Sequence, residues 1–140
     1  MELAASHTPV AGAIRQAWGL ATSVNALIVD DNEGIRRLLR RAIREIADPI
    51  WECCDGADAL KSYIDRRPDI VLMDIRMPIV DGLEATRRIL QFDPEARVMI
   101  VTDYDDDDLR EVALEAGACG YWLKEEVADL PQKLLSIAGK

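Results

Sequence analysis

The sequence has little histidine, little cysteine and a deficit of positive charge, and each shortage closes off a class of chemistry. A single histidine, His7, stands near the start of the chain. Ser-His and Cys-His nucleophilic pairs, phosphohistidine carriers and histidine-bound metals therefore have almost nothing to be built from. Three cysteines, Cys53, Cys54 and Cys119, form an odd set without CxxC spacing. They read as small buried hydrophobes in a reducing cytoplasm, not as a disulfide framework or a zinc site. The formal net charge of -9 argues against direct nucleic-acid binding, because phosphate backbones need clustered Lys and Arg. No apolar run approaches the roughly 20 residues that cross a bilayer. The first 23 residues lack the basic start and long apolar middle of a secretory signal.

What the chain does have is alternation. Its 140 residues fit one domain with a single core, taken as 24–138 after an extension over 1–23. Within that extension Val10, Ile14, Ala17, Trp18 and Ala21 share one helical face. Two readings stay open for it: a frayed terminus, or a short amphipathic helix docked on the domain or on a partner through Trp18. From Val24 onward, apolar runs at 24–30, 50–54, 69–74, 97–102 and 119–123 read as strands. Helical patterns at 32–47, 81–92, 105–117 and 125–138, and one opening at Asp55, follow them in turn. Five strand–helix pairs predict an α/β fold, a doubly wound parallel sheet with helices on both faces.

In such sheets ligands sit beyond the carboxyl ends of the strands. The residues at those ends are Asp30 and Asp31, Asp74, Thr102 and, just past the fifth strand, Lys124. Clustered carboxylates repel one another unless a cation holds them, and a hard divalent ion with oxygen ligands fits best. Capping is the competing explanation for strand-end aspartates, above all for Asp31. Lys124 favours a phosphate-linked site, since an ammonium on the same rim complements a transferred phosphoryl group. The run of five aspartates between 103 and 108 reads as a helix start with Asp105 as N-cap. An EF-hand fits poorly: counted from Asp103, the glycine position holds Asp108 and the final glutamate position holds Leu114.

Four segments, LIVDDNEGIRRLL, VLMDIRMPIVDGLEATRRI, VMIVTDYDD and EAGACGYWLKE, resemble, in order, the motifs of the response-regulator receiver domain. This is the CheY-like phosphoacceptor module of two-component signalling. The wording AGACGYWLKE, with no proline after the lysine, is most similar to receivers of the NarL/LuxR class. The resemblance implies a five-stranded flavodoxin-like sheet of order 2-1-3-4-5. It implies Asp74 as phosphoacceptor, supplied by a sensor histidine kinase or phosphotransfer protein. It implies magnesium, or manganese, held by Asp30, Asp31, Asp74 and the backbone carbonyl of Arg76. Lys124 would pair with Asp74 at rest and with the acyl phosphate afterwards. Thr102 and Tyr121 would be the switch pair, reshaping the face made by the fifth strand and the last two helices. Such a protein catalyses only its own phosphorylation and dephosphorylation, in the cytoplasm. It signals to a downstream protein or to its own output domain, with a homodimer left open. No helix-turn-helix follows residue 138, so a free-standing receiver and a fragment of a longer regulator both remain.

Three features depart from the pattern or fall outside it. Asp103 puts an extra carboxylate beside the phosphoryl site, which weakens phosphorylation or speeds hydrolysis unless the side chain turns to solvent. Arg76 and Tyr104 occupy places where receivers tune water access, and a bulky pair there implies slower hydrolysis. Arg36, Arg37, Arg40, Arg41 and Arg44 form either a solvated face or a kinase-docking face. Met77-Pro78 and Asp81-Gly82 read as a turn and a helix start, with Asp81 and Glu84 as a capping pair. The rival to a phosphoacceptor is a receiver-like interaction module that signals without phosphate. An aspartyl-phosphate hydrolase is disfavoured because the position two residues after Asp74 is Arg76 and not an acid.

Overall fold

The computed structural model describes residues 8–137; His7, the rest of the first seven residues and residues 138–140 lie outside them. Helix α1 (Pro9–Trp18) comes first, followed by β1 (Val24–Val29), α2 (Glu33–Ile43), β2 (Ala47–Cys53), α3 (Ala59–Arg66) and β3 (Ile70–Met73). After these come α4 (Gly82–Phe92), β4 (Val98–Thr102), α5 (Asp107–Glu115), β5 (Gly120–Leu123), a 3-10 helix (Lys124–Asp129) and α6 (Leu130–Ile137). The sheet order is β2-β1-β3-β4-β5, with every neighbouring pair parallel. That is the doubly wound, flavodoxin-like order expected.

The strands read as nearly continuous apolar runs because both of their faces are covered. Leu27, Val29, Val71, Met73, Val98 and Ile100 enter one core, with Tyr63 of α3, Ile89 of α4 and Ala113 of α5. Their neighbours Ala26, Ile28, Ile70, Leu72, Met99 and Val101 enter the other, with Ile14, Leu39, Ile43 and Leu134. So α3, α4 and α5 lie on one face of the sheet and α1, α2 and α6 on the other. Helix α1 is capped by Thr8, whose hydroxyl accepts from Ala11 N at 3.0 Å, and stops at Gly19 with φ 71°. Its Ala11 and Ile14 are fully buried. Burying a side chain the size of Ile14 contributes about 1.5–3 kcal/mol. Trp18 is covered by the Arg97 guanidinium, 4.3 Å from the ring centre.

Element ends shift where local signals are ambiguous. Helix α2 stops at Ile43 and β2 begins at Ala47, three residues before the apolar run starts. There β2 carries one residue more than β1 between the pairs Val24–Ala47 and Ala26–Ile50. Pro49, which has no N–H to donate, is tolerated at this bulge on an edge strand. Helix α3 starts at Ala59 and not Asp55, because the Asp55 carboxylate accepts from Asp58 N at 2.7 Å and closes a turn first. The N-cap of α5 is Asp106, not Asp105: its Oδ1 accepts from Asp108 N and Leu109 N at 2.9 and 3.1 Å. Helix α6 is preceded by the 3-10 helix rather than continuous from residue 125, and Pro131 sits in its first turn, where a missing N–H costs nothing. Cys53 is buried and Cys119 half-buried, but Cys54 is exposed, and all three are free. Burial pushes the Cys119 thiol up to about 11, which leaves it protonated and inert.

Candidate functional site: the carboxyl rim of the sheet

Strand register assembles the rim. Val29 pairs with Met73, Met73 with Ile100 and Thr102 with Leu123, so Asp30, Asp74, Thr102 and Lys124 follow neighbouring strands in one row. The backbone locks this: Asp74 N donates to Val29 O at 2.9 Å, and Asp30 N to Cys53 O at 3.1 Å. Asp30, Asp74 and Thr102 are the buried polar residues of this rim, while Asp31 is exposed. One carboxylate oxygen from each of Asp30, Asp31 and Asp74 lies within 4.8 Å of the others.

The acidic doublet divides its labour. Asn32, and not Asp31, caps α2, accepting from Ile35 N at 2.9 Å, so Asp31 is left free of that duty. Asp30 Oδ1 accepts from Asn32 N at 2.9 Å. Its Oδ2 is buried and lies 3.0 Å from Lys124 Nζ, an ion-pair contact without hydrogen-bond alignment. Lys124 Nζ also lies 3.3 Å from Asp74 Oδ1. Burial, followed by the nearby charge of Asp30, raises the Asp74 carboxyl to about 6, against the opposing pull of Lys124. Burial alone would lower Lys124, but Asp30 and Asp74 outweigh it and hold the ammonium above its ordinary value. One cation thus serves two buried carboxylates, and a buried oxygen remains short of a donor. That shortage, together with an all-oxygen donor set, fits a hard divalent ion such as magnesium or manganese.

The loop after β3 is pressed tightly against the site. A Cβ on Gly82 would lie 1.8 Å from Asp74 O, and one on Gly56 would lie 2.0 Å from Val80 O. Both positions therefore need glycine because backbone approaches there. Asp81 caps α4, accepting from Glu84 N at 2.9 Å, but Glu84 does not reciprocate: its carboxylate reaches Arg87 and Arg88 instead. Ile79, at the tip of the loop, is 98% exposed and held at φ 69°, a strained conformation for a β-branched residue.

Thr102 Oγ1 accepts from Tyr104 N at 3.3 Å. Asp103 turns outward, 71% exposed, with Oδ2 still 4.0 Å from Lys124 Nζ. The Arg76 guanidinium stacks over the Tyr104 ring at 4.7 Å, so the two bulky residues form one lid-like pair at the rim. Tyr121 is buried, and its hydroxyl donates to Tyr104 O at 2.5 Å. Of the five arginines along α2 and at its C-cap, Arg36 and Arg40 both pair with Glu52 of β2, and Arg37 pairs with Glu33. Two of the five therefore brace the edge strand. Arg110 was not singled out from the sequence, yet its NH1 donates to Tyr121 O at 3.1 Å and its guanidinium lies 4.8 Å from the centre of that ring. The only signal for it was a lone cation following four aspartates.

Comparison with known proteins gives one family, the response regulator receiver domain, matching residues 26–135; α1 precedes the matched span. The chain is 41% identical over 98 residues to the chemotaxis protein CheY of Halobacterium salinarum, covering 70% of this chain and 82% of that protein. A LuxR-family two-component response regulator from Aurantimonas sp. SI85-9A1 aligns with a TM-score of 0.78 at 36% identity, covering 84% of this chain and 86% of that one. A chain in the CheX-CheY-BeF3-Mg+2 complex from Borrelia burgdorferi aligns with a TM-score of 0.79 at 30% identity, covering 84% of this chain and 90% of that one. Against longer curated relatives the chain spans about half their length, 48% of one that is 36% identical over 103 residues.

Proposed function

Since this chain belongs to the response regulator receiver domain family of two-component signalling, we propose that Asp74 is its phosphoacceptor. The observation that carries this reading is the gathering of Asp30, Asp31 and Asp74 oxygens within 4.8 Å of one another, with Lys124 Nζ 3.3 Å from Asp74. The Asp74 carboxylate attacks the phosphorus of a phosphohistidine carried by a sensor histidine kinase or a phosphotransfer protein. The new P–O bond forms as the P–N bond breaks, and the electron pair returns to the imidazole. No general base is needed, so the scarcity of histidine is no obstacle. Asp30, Asp31, Asp74 and the backbone carbonyl of Arg76 would hold magnesium, which when bound would supply charge neutralisation for the phosphoryl oxygens.

The chain's own groups do the rest. Lys124 keeps Asp74 ionised at rest and then pairs with the acyl phosphate. Thr102 offers its hydroxyl to a phosphoryl oxygen. The Arg76–Tyr104 stack narrows the path of water, which slows hydrolysis of the acyl phosphate to carboxylate and inorganic phosphate. No external substrate is turned over. The readout is the face made by α5, β5 and α6, offered in the cytoplasm to a downstream protein, an output domain or a second copy. A phosphate-independent module is the alternative, favoured by one observation: Tyr121 is buried and held by Arg110 and Tyr104 through contacts that involve none of the rim carboxylates. Mass spectrometry after treatment with a small phosphodonor and magnesium separates the two. A single phosphoryl adduct, absent from Asp74→Asn, supports the phosphoacceptor; an unmodified wild-type chain that stays folded refutes it.

A further inference from the structure

Arg110 is surrounded in sequence by acids, Asp105 to Asp108 before it and Glu111 after it. Among the described residues it makes no ion pair with any of them. Its guanidinium is instead turned inward to β5, with its plane at Tyr121 and one nitrogen donating to the Tyr121 carbonyl oxygen. A cation that forgoes adjacent carboxylates for a ring and a carbonyl is held there by the packing of α5 on β5.

Tyr121 is consequently gripped at three points. Its ring faces Arg110, its carbonyl accepts from Arg110, and its hydroxyl donates to Tyr104 O. Tyr104 in turn carries the Arg76 guanidinium on its ring, and Arg76 is two residues beyond Asp74. A continuous set of contacts therefore runs from α5 to the lip of the carboxylate cluster.

We infer that Arg110 is a positioning residue that holds Tyr121 buried before any phosphoryl group arrives, so that the α5–β5 face is largely pre-set. The inference rests on the phosphoacceptor reading for its consequence, though not for its geometry. An equilibrium already biased toward one arrangement leaves less for a ligand to shift. By reciprocity, the same bias strengthens binding of any ligand that prefers the buried arrangement.

Fluorotyrosine incorporation and fluorine NMR read this directly, with the Tyr121 resonance assigned by its loss in Tyr121→Phe. In the ligand-free wild type, the resonance should be narrow and insensitive to solvent. In Arg110→Ala it should move toward the solvent-exposed position. In Arg110→Lys, which keeps charge but loses the flat fork, it should lie between; this variant also serves if the alanine loosens α5. Addition of beryllofluoride with magnesium should barely move the wild-type resonance and should return the Arg110→Ala resonance to the wild-type position. Apparent beryllofluoride affinity should fall about three- to tenfold in Arg110→Ala, as loss of a partly desolvated cation–π contact implies. A merely structural arginine would lower stability without altering either readout in the folded protein. An unchanged ligand-free resonance in both folded variants overturns the inference. Failure of the wild type to bind beryllofluoride at all, read from the fluorine resonance of the bound ligand, overturns the phosphoacceptor reading and the pre-set consequence, while the ligand-free difference between variants still tests the grip itself.

Discussion

Asp74 and Asp93 are the same side chain at opposite ends of the sheet, and the protein treats them in opposite ways. Asp93, just before β4, accepts from the Tyr63 hydroxyl at 2.6 Å and from Glu95 N at 3.0 Å, with Arg67 3.4 Å away. The Tyr63 hydrogen bond leads in holding its carboxyl below the ordinary value. Asp74, just after β3, shares one ammonium with Asp30 and is raised to about 6 by burial and by that neighbour's charge. A structural carboxylate is supplied with protein donors, whereas the rim carboxylates are left short of them. The shortfall is what an added cation would relieve.

Exchanging either aspartate for asparagine tests this contrast. The largest effect is expected at the rim. Without magnesium at pH 8, Asp74→Asn should raise stability by about 2–3 kcal/mol, the equivalent of its displaced carboxyl, as read by urea denaturation. The sign follows from proton uptake. Asp74 ionises at about 6 when folded, against a reference value of 3.8, so the native state binds more protons between those values. Its contribution is fully present below the lower value and is lost as pH rises through the upper one. Wild-type stability should therefore decline over that interval, while Asp74→Asn lacks this decline.

Asp93→Asn should do the reverse and cost about 1–2 kcal/mol, because Tyr63 and Glu95 N lose a charged acceptor. Its contribution is present above the ordinary carboxylate value and is lost as pH falls through the lowered one. A stabilising Asp93→Asn would erase the distinction between the two ends.

The smallest effect belongs to Asp103. Its carboxylate approaches Lys124 at 4.0 Å but is mostly solvated, and an exposed pair at that distance is heavily screened. Asp103→Ala should change magnesium affinity and phosphoryl lifetime by no more than about twofold. A tenfold gain in either would mean that the side chain turns inward when the site is loaded.

Much of this was legible in the sequence because strand ends are marked so sharply. VLMD and LIVDD pass from apolar to acidic in one step, and only the carboxyl rim of a parallel sheet makes that transition useful. The ends of α3 and α5 were less legible, since DGAD and DDDD offer several competent caps and tertiary packing chooses among them. The start of β2 was hidden because Asp48 and Pro49 are exposed on an edge, where no apolar run is required. Helix α1 showed its periodicity, but whether Ile14 finds a groove depends on β1 and α6, which local pattern does not encode. The orientations of Asp103 and Arg110 were likewise decided by neighbours distant in sequence.

The rim is short of cationic partners, and a magnesium titration followed by calorimetry at several pH values tests this most directly. Saturable binding that tightens as pH rises from about 5 to 7, with proton release when Asp74 gives up its proton, and that is lost in Asp30→Asn, is the predicted result. No saturable binding at neutral pH, or binding undiminished by Asp30→Asn, would contradict it.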